Sequence, residues 1–425
     1  MKASLAPLRE RDFRYLFAGR VTSLLGSAIA PVALAFAVLD LTGSPTSLGI
    51  VLAARLIPQI IFLLVGGVIA DRLPRQLVMV SANVVSGAAQ GVVALLLLVG
   101  VAEIWHLIAL QIVAGATSAF FFPASSGIVP QTVRPAVLQE ANALLRLSLN
   151  GTSIAGAAAG GVLVAAAGSG WALAFDAVTY FVAALLLGRI RLSRTARIAG
   201  SNALAELREG WREFTARTWL WTIVVAFGFM NAAHSGASNV LGPTIARDEL
   251  GGAAAWGLIL SAEAAGLVLG GLLMLWLRPQ RILLVGCAAM ILLLPGLLLL
   301  SVAAPVAVIA AAYLLAGIGL EIFGVFWDLS LQQNIPQEKL SRVYAYDAVG
   351  SFVLIPLGLV VAGPVAEAIG PDETLWLAAG VIGAGVVGML LVRDVRTLER
   401  KPAEPELRPA GDEPASTREP VPHEG

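Results

Sequence analysis

Hydrophobic positions in this chain form long uninterrupted blocks, with short polar or charged stretches between them. Crossing about 30 Å of hydrocarbon takes about 20 apolar residues in a helix, and runs of that length recur from the first tens of residues almost to the end. The pattern predicts twelve membrane-spanning helices. They lie near 14–39, 46–70, 77–100, 104–127, 144–167, 171–190, 219–242, 252–277, 281–301, 305–328, 343–368 and 373–393.

Composition supports this interpretation. Of the 425 residues, 58% are hydrophobic and 13% are charged, whereas soluble domains carry about 25% charged residues. The formal net charge is +0, so the overall charge gives no reason to expect nucleic acid as a partner. We therefore expect an all-α polytopic membrane protein whose main partner is the lipid bilayer.

Basic residues alternate between the two sides of the predicted membrane. Arginines precede the first span, lie between the second and third (Arg72, Arg75) and follow the fourth (Arg134), whereas the opposite side has a single basic residue, Arg247. Cytoplasmic loops are the ones enriched in Lys and Arg. The alternation predicts that both termini are cytoplasmic. The excess of arginine over lysine and the abundance of alanine indicate a GC-rich bacterial genome, so we expect a multi-pass protein of a bacterial inner membrane.

The longest polar connection divides the chain into two halves. It predicts an N-terminal six-helix bundle at 1–190, a linker at 191–218, a C-terminal six-helix bundle at 219–396 and a disordered cytoplasmic tail at 397–425 that is rich in Pro and Glu. Within the linker, Leu204, Leu207, Trp211 and Phe214 recur at helical spacing. This amphipathic helix either lies on the membrane surface or packs on the bundle as a solvated linker helix.

A short sequence similarity relates the two halves of the chain. Pro130-Gln131 follows the fourth span and Pro336-Gln337 follows the tenth, each beyond an apolar helix and before a basic residue. Duplicated six-span halves with a substrate site between them are typical of secondary transporters.

Several classes of site have no support in the residues present. The three histidines and the single cysteine are scattered, so no Cys/His spacing predicts a metal site. None of the three lysines (Lys2, Lys339, Lys401) follows a glycine, which excludes a Walker A loop. We expect no cofactor and no enzymatic activity, and any energy source must be an ion gradient or a separate subunit.

Acids inside the spans are costly and are therefore candidates for function. The tenth span places Gly317, Glu321, Gly324 and Asp328 on one helical face. Glu321 is the deeper acid and the first candidate for proton coupling, although pairing with an arginine would also explain it. The further candidates for coupling or pairing are Asp328, Glu263, Asp347 and Asp176.

Other polar residues in the spans are candidates for the cavity. The seventh span carries a polar stripe of Asn231, His234, Ser235 and Ser238, which either lines a central cavity or forms interhelical hydrogen bonds. Arg20 and Arg55 lie within the first two spans. They either pair with carboxylates or attract an anionic substrate.

One charged loop carries a family resemblance. The stretch GGVIADRLPRQLVM, between the second and third spans, resembles the major facilitator superfamily signature G-x-L-A-D-R-x-G-R-R/K. The match falls on Gly67, Ala70, Asp71, Arg72 and Arg75. Pro74 stands where the signature has glycine, and Gln76 where it has arginine or lysine.

The stretches FFFPASSGIVPQTV…LQEANAL and AFDAVTYFVAALLL resemble the drug-export branch of that superfamily, which includes macrolide and siderophore exporters. In the fifth span, GTSIAGAAAGGVLV is similar to the antiporter signature G-P-x-x-G-G at Gly156, Gly160 and Gly161, with Ala157 in place of proline. The fourth span has Gln111 where many exporters have an intramembrane arginine.

The resemblance implies a major facilitator fold working by alternating access as a monomer. It would export a small hydrophobic molecule, with proton antiport as the expected coupling. Asp71 would latch the two halves by pairing with the start of the eleventh helix, near Arg342; alternatively the loop is a short turn that sets topology. The glycines would serve antiport or only close helix packing.

The remaining alternatives are an exporter dedicated to a siderophore or a self-made metabolite, the membrane subunit of an ATP-driven pump, and a membrane enzyme.

Overall fold

The protein is an assembly of helices that matches the predicted class. The computed structural model describes residues 6–190 and 203–400; the side chains at 63–72, 122–123, 126–127, 203–207, 209 and 341 lie outside that description. The first half contains α1 (Arg11–Thr42), α2 (Pro45–Arg72), α3 (Arg75–Val99), α4 (Ile104–Thr132), α5 (Leu138–Ala167) and α6 (Ser169–Leu187), followed by the linker helix α7 (Ala203–Thr215). The second half contains α8 (Thr218–Gly236), α9 (Gly242–Asp248), α10 (Ala253–Leu273), α11 (Ile282–Ala289), α12 (Leu294–Leu300), α13 (Val306–Asn334), α14 (Gln337–Phe352), α15 (Ile355–Ile369), α16 (Pro371–Leu391) and α17 (Arg393–Thr397).

Eleven helical segments of the described residues are long and apolar enough to cross a membrane. The seventh predicted span is the exception, because Asn231 and His234 lower the mean hydropathy of α8, a helix of 19 residues. It still continues through a π-helical turn, Ala237–Leu241, into α9. With this span included, the structure confirms the all-α fold of twelve membrane helices.

The two halves differ in how continuous their spans are. Each span of the first half is one uninterrupted α-helix. In the second half the seventh span contains the π turn, the ninth contains a 3₁₀ segment at Met290–Leu293, and the eleventh breaks between α14 and α15. Proline follows each of these irregular segments, at Pro243, Pro295 and Pro356. Pro31 and Pro58 lie within continuous helices of the first half, so a proline alone does not interrupt a span.

Several helices extend beyond the predicted apolar runs. α5 begins at Leu138 instead of near 144, α13 ends at Asn334 instead of near 328, and α14 begins at Gln337 instead of near 343. Hydrophobicity marks only the part of a helix inside the hydrocarbon, whereas backbone hydrogen bonds extend until a cap ends them. Gly43 is one such cap: it adopts φ 63°, and its N–H donates to Leu39 O.

Each half packs as a bundle, and a few helices join the bundles. In the first half α1 packs on α5 and α6, α2 packs on α4, and α3 packs on α4 and α6. In the second half α10 packs on α13, and α8 packs on α14, α15 and α16. The bundles meet mainly where α5 contacts α10 and where α2 contacts α15.

The two faces of the molecule are named here by their connections. The neutral end contains the short connections that follow α1, α3, α5, α9, α12 and α15; the basic end contains those that follow α2, α4, α6, α10, α13 and α16. These names are used below without assigning a side of the membrane.

The linker helix α7 packs on the C-terminal bundle at the basic end. The rings of Trp211 and Phe214 lie 5.4 and 6.0 Å from that of Tyr346 on α14. Glu213 accepts a hydrogen bond from Arg217 and another, of 3.1 Å, from Lys339 Nζ. The bond from Arg217 holds the pKa of Glu213 below its usual value. The contacts favour the linker helix packed on the bundle over one that lies on the membrane surface. Positions 191–202 and the tail from 401 lie outside the described residues.

Candidate functional site

The bundles meet closely at the neutral end through small residues. A Cβ added to Gly161 on α5 would lie 3.0 Å from Gly257 Cα on α10, and a Cβ added to Gly257 would lie 2.9 Å from Gly161 Cα. Nearby, Ser261 Oγ donates a hydrogen bond of 3.0 Å to Ile154 O on α5. The α5–α10 backbones are therefore in direct contact over the half of each helix nearest the neutral end.

A second close contact joins α2 to α15 at the same end. A Cβ on Gly49 would lie 3.0 Å from the Leu359 carbonyl carbon, and one on Gly363 would lie 2.7 Å from that of Pro45. Ser44 Oγ donates a hydrogen bond of 2.9 Å to Glu367 Oε1. The four glycines of these two contacts, Gly49, Gly161, Gly257 and Gly363, are called the glycine seal below.

One ion pair also crosses between the bundles at the neutral end. Arg247 Nε on α9 lies 3.8 Å from Asp40 Oδ1 on α1, and the two side chains are 34% and 63% exposed. The sequence predicts a solvated cap at Asp40; the side chain is solvated and also faces the other bundle.

The glycine signature in the fifth span divides between two partners. Gly156 and Gly160 face Ala28 and Ile29 of α1, within the N-terminal bundle, whereas Gly161 faces Ala253 and Gly257 of α10. All three positions have close backbone neighbours, which is the packing role expected of small residues between membrane helices. Only Gly161 contributes to the contact between the bundles.

A buried polar cluster occupies the interior of the N-terminal bundle. Asp176 on α6 is 1% exposed; its Oδ2 accepts a hydrogen bond of 3.0 Å from Gln90 on α3, and its Oδ1 has no hydrogen-bond partner among the described residues. Tyr180 hydroxyl accepts a 3.0 Å bond from Ser27 on α1. Arg55 on α2 acts electrostatically on Asp176 but lies beyond ion-pair distance. The sequence pattern indicates Asp176 only as a partner for the arginines, and it gives no indication of Gln90 or Tyr180.

The polar stripe of the seventh span serves mainly to connect helices of its own bundle. Asn231 Nδ2 donates a hydrogen bond of 3.0 Å to Ser351 O on α14. Ser238, 4% exposed, lies 3.4 Å from the hydroxyl of Tyr313 on α13. Ser235 uses its carbonyl for Asn239. For Asn231 and Ser238 these contacts favour interhelical hydrogen bonding, the alternative to a cavity lining; lining of a central cavity stays a prediction.

His234 instead faces an acid. Its Nε2 lies 3.6 Å from Glu263 Oε1 on α10, and its Nδ1 is buried without a hydrogen-bond partner in the described part of the chain. Glu263 lies near the middle of α10, two residues from Ser261, which bonds to α5. The pair is therefore adjacent to the contact between the bundles.

The two acids of the tenth span have different neighbours. Glu321 packs toward α10, since a Cβ on Gly271 would lie 3.5 Å from its Oε1, and Arg146 on α5 is the cation whose charge acts on it. Asp328 is exposed and accepts a hydrogen bond of 3.0 Å from Tyr344 hydroxyl. Arg146, at the start of the fifth span, was not among the sequence candidates.

A cavity of about 230 Å³ lies between α8, α13 and α14, nearer the basic end. Asp328, Asp347 and Gly324 line it together with Phe227, Phe323 and Trp327. Asp347 accepts hydrogen bonds of 2.9 Å from Trp327 Nε1 and 3.0 Å from Ser351 Oγ. Two of the acids predicted from sequence thus come together, in an aromatic setting that helical spacing alone did not indicate.

Arg20 and Arg55 have no ion-pair partner within the part of the chain that the structure describes. Both side chains are partly buried. An ion pair between these arginines and a carboxylate is therefore not formed in this conformation, and Arg55 instead interacts with the Tyr180 hydroxyl and acts electrostatically on Asp176.

The loop signature forms the tight connection between α2 and α3. Asp71 belongs to the last turn of α2, and not to the loop beyond it; Leu73 and Pro74 form the connection. Gln76 Nε2 donates a 3.0 Å bond to Leu187 O, the last carbonyl of α6, which has no partner within its own helix. The side chains of Gly67, Asp71 and Arg72 lie outside the described residues, and Arg75 has an interaction partner. The latch stays a prediction.

Together these features place ionisable groups inside two bundles whose close contacts, in the part of the chain that the structure describes, lie at the neutral end. No group of three or more His, Cys, Asp and Glu residues suited to a metal ion occurs in the described residues. The arrangement distributes charge along a path through the membrane, as expected for solute translocation.

Known proteins similar to this chain are transporters. Residues 2–415 match the family described as transmembrane secretion effector. Macrolide efflux protein A of Streptococcus pyogenes is 22% identical over 398 residues, 92% of this chain and 98% of that protein. Multidrug efflux pump Tap of Mycobacterium tuberculosis is 25% identical over 422 residues, 94% and 97% of the two chains.

Solved structures agree with the fold. The crystal structure of the nucleoside transporter NupG superposes with a TM-score of 0.72 at 12% identity, covering 89% of this chain and 98% of that one. A match that spans nearly the whole sequence, with transporters and not enzymes as relatives, establishes the class. The chain belongs to the transmembrane secretion effector family of major facilitator transporters.

Proposed function

We propose that this protein exports a small hydrophobic compound across the cytoplasmic membrane by alternating access, in exchange for protons. The two bundles, 1–190 and 219–396, are the moving units, and the monomer is the working form. The basic end faces the cytoplasm, because cytoplasmic loops are the ones enriched in Lys and Arg.

The observation that carries the proposal is the one-sided contact between the bundles. The close backbone approaches, the Ser44–Glu367 hydrogen bond and the Arg247–Asp40 ion pair all lie at the neutral end. With the basic end inside, this conformation corresponds to a transporter closed to the exterior and ready to load from the cytoplasm. An exporter must load from that side.

The relatives support export as the direction. Two of them are named for efflux, one for macrolides and one for multiple drugs. An exporter dedicated to a siderophore or another self-made metabolite is the second candidate, since the same cavity and the same cycle would serve it. Nothing in the described residues favours that narrower substrate over a hydrophobic drug.

For the coupled proton, Glu263 is the best-placed acid. Glu263 has His234 at 3.6 Å as an alternative proton site, and it lies on the helix that contacts α5 through Gly257 and Ser261. A change of charge on Glu263 would therefore act beside the contact that must open. Glu321, the first candidate from sequence, is the second choice because its neighbours on α10 are the adjacent glycines Gly270 and Gly271, which have no side chain that could take the proton.

Transport into inverted membrane vesicles tests the class of mechanism. We expect uptake of a fluorescent hydrophobic dye that a protonophore abolishes and that ATP depletion leaves unchanged. Transport that persists without any ion gradient would contradict proton antiport, and uptake that requires ATP would favour the subunit of a pump.

Single acid substitutions test the coupling site. Glu263→Gln is expected to leave dye binding intact but to remove the dependence of uptake on the pH gradient; Glu321→Gln is the comparison. If Glu263→Gln keeps the wild-type pH dependence and Glu321→Gln loses it, the proton is carried by Glu321. His234→Gln tests the neighbour of Glu263. We expect the pH profile of dye uptake to shift in this variant, without complete uncoupling of uptake from the pH gradient.

A further inference from the structure

We propose that the cavity between α8, α13 and α14 binds the ammonium end of an aromatic amine or quaternary ammonium compound, so that organic cations are among the exported substrates. This site lies inside the C-terminal bundle and not between the bundles. The inference rests on the proposed export function and assigns a substrate chemistry to it.

The wall of the cavity is a column of aromatic rings. Phe227 and Phe323 stack with centroids 4.8 Å apart and an interplanar angle of 28°, and Phe323 and Trp327 stack at 6.1 Å and 14°. All three rings line the cavity. The faces of aromatic rings attract cations within about 6 Å of the ring centre, and tryptophan does so most strongly. Because Phe323 stacks on both of its neighbours, Trp327 is the ring to which the proposal assigns the ammonium.

The floor of the cavity supplies negative charge that no cation of the described residues pairs with. Asp347 receives hydrogen bonds from Trp327 and Ser351, and Asp328 receives one from Tyr344. These donors are an indole, an aliphatic hydroxyl and a phenol, all of them neutral. Among the described residues no Arg, Lys or His forms an ion pair with either acid. Two adjacent carboxylates beside aromatic rings are stabilised best by a cation, which a ligand can supply.

Size and access fit a small cationic group. The volume of about 230 Å³ accommodates a ring with a substituted ammonium, so the remainder of a larger substrate would extend outside. Gly324 keeps the cavity open, since a Cβ there would meet nothing within 4 Å. Asp328 is exposed at the side nearer the basic end, from which a cytoplasmic cation would enter.

An isosteric pair of probes separates charge from shape. Benzyltrimethylammonium and neopentylbenzene have the same shape, but only the first is charged. Binding of each to the purified full-length protein in detergent is measured at the same pH of about 8. We expect the cation to bind at least about tenfold more tightly than the neutral compound. Equal affinity for the two compounds would overturn the proposal.

Two variants locate the binding site. Asp347→Asn removes the charge; its amide oxygen can still accept from Trp327 Nε1, and its NH2 group can donate to the Ser351 hydroxyl, which then acts as the acceptor. We expect a loss of cation affinity of about tenfold without a change for neopentylbenzene. Asp328→Asn changes an exposed position with one hydrogen bond, so it tests the site even if Asp347→Asn misfolds. We expect it to lower cation affinity several-fold. Asp372→Asn, at the start of α16 and the neutral end, is the matched control and should bind both probes as the wild type does. Wild-type cation affinity in both pocket variants would refute the site.

Transport assays distinguish failure of this inference from failure of the export function. Ethidium, a permanent cation, and a neutral hydrophobic dye are compared in inverted vesicles. Loss of ethidium uptake alone in Asp347→Asn supports the cation site. Uptake of both dyes at wild-type rates in Asp347→Asn counts against it. Selective cation binding without uptake of either dye supports the site and counts against the export function.

Discussion

The neutral end and the basic end of this transporter hold the two bundles by different means. At the neutral end, helix backbones touch through Gly49, Gly161, Gly257 and Gly363. At the basic end, the described interactions are charged or aromatic and lie mostly within one bundle, such as the Glu213 contacts with Arg217 and Lys339. The bundles are thus joined mainly by close helix packing at the neutral end, whereas the predicted Asp71 latch would join them by a charge interaction at the basic end.

The difference suggests how the ends can alternate. Backbone contact between small residues is short-ranged and is lost as soon as the helices separate by an ångström or so. An interaction between an acid and a helix N-terminus acts over a longer distance and depends on ionisation. A charge-dependent latch at one end and a shape-dependent seal at the other would let a change of protonation favour one closure over the other.

The largest effect is expected from filling the glycine seal. Gly161→Leu places a branched side chain against α10, where forcing extra atoms into a packed contact costs about 1–3 kcal/mol. We expect ethidium export to fall at least about tenfold at equal membrane abundance, since the neutral end can no longer close. Labelling of a cysteine introduced by Thr46→Cys, in a Cys287→Ala background, with an impermeant maleimide should increase.

The matched control for this substitution is on the same helix. Gly151→Leu introduces the same side chain where a Cβ meets nothing within 4 Å, and export should be retained. If Gly161→Leu exports as well as Gly151→Leu does, the glycine contact is not the barrier.

The next largest effect concerns the basic end. Asp71→Asn removes the charge of the predicted latch, and a hydrogen bond to a charged group is worth about 1.5–3 kcal/mol. We expect turnover to slow about tenfold, with membrane insertion and dye affinity nearly unchanged. Asp394→Asn, an acid of α17, is the control; wild-type turnover in Asp71→Asn would reduce the loop to a topology signal.

A smaller and pH-dependent effect is expected at the linker helix. Because the pKa of Glu213 is lowered in the folded protein, its contribution is present above the ordinary carboxyl pKa and is lost as pH falls through the lowered value. Glu213→Gln should weaken docking of α7 by roughly 1 kcal/mol at neutral pH.

The measurement is hydrogen exchange of α7 peptides. In the wild type, exchange should quicken as pH falls into the acid range, after correction for intrinsic rates, whereas in Glu213→Gln this additional acid effect should be absent. Glu338→Gln, in the first turn of α14, should retain the wild-type dependence. The same pH response in Glu213→Gln and wild type would show that another group holds α7 in place.

The smallest effect is expected for the ion pair between the bundles. Exposed pairs contribute about 0–1 kcal/mol, and Arg247 and Asp40 are 3.8 Å apart and well solvated. Arg247→Ala should change export by no more than about twofold, and less at high salt. A tenfold loss would mean that charge, and not glycine packing, closes the neutral end.

The fold was largely predictable because it depends on hydrophobicity. Membrane thickness fixes the length of an apolar run, so the twelve spans were identifiable from the sequence to within a few residues at most ends. Helix ends that extend into water were not predictable from hydropathy, because polar residues such as Gln337 can begin or continue a helix outside the apolar run. The π turn after Gly236 was also not predictable, since it depends on how α8 packs on its neighbours.

The site was predictable as a set of residue types but not as a set of contacts. Glu263 and His234 are separate candidates in the sequence, and only the tertiary structure brings their side chains to 3.6 Å. The register change at Ala237–Leu241 likewise places Ser238 opposite Tyr313, which no helical periodicity indicates. Neutral polar residues such as Gln90 gave a weak signal, because an amide in a span is as easily structural as functional.

The interrupted helices of the second half have a mechanical consequence. A continuous hydrogen-bonded helix is stiff along its length, whereas a π turn, a 3₁₀ segment or a proline break provides a local site of bending. The N-terminal bundle would then act as a rigid frame, and the elastic deformation of the cycle would be concentrated near Ala237–Leu241, Met290–Leu293 and Val353–Leu354. The C-terminal bundle would thus be the more flexible of the two, and it is the bundle that contains His234, Glu263 and the aromatic cavity.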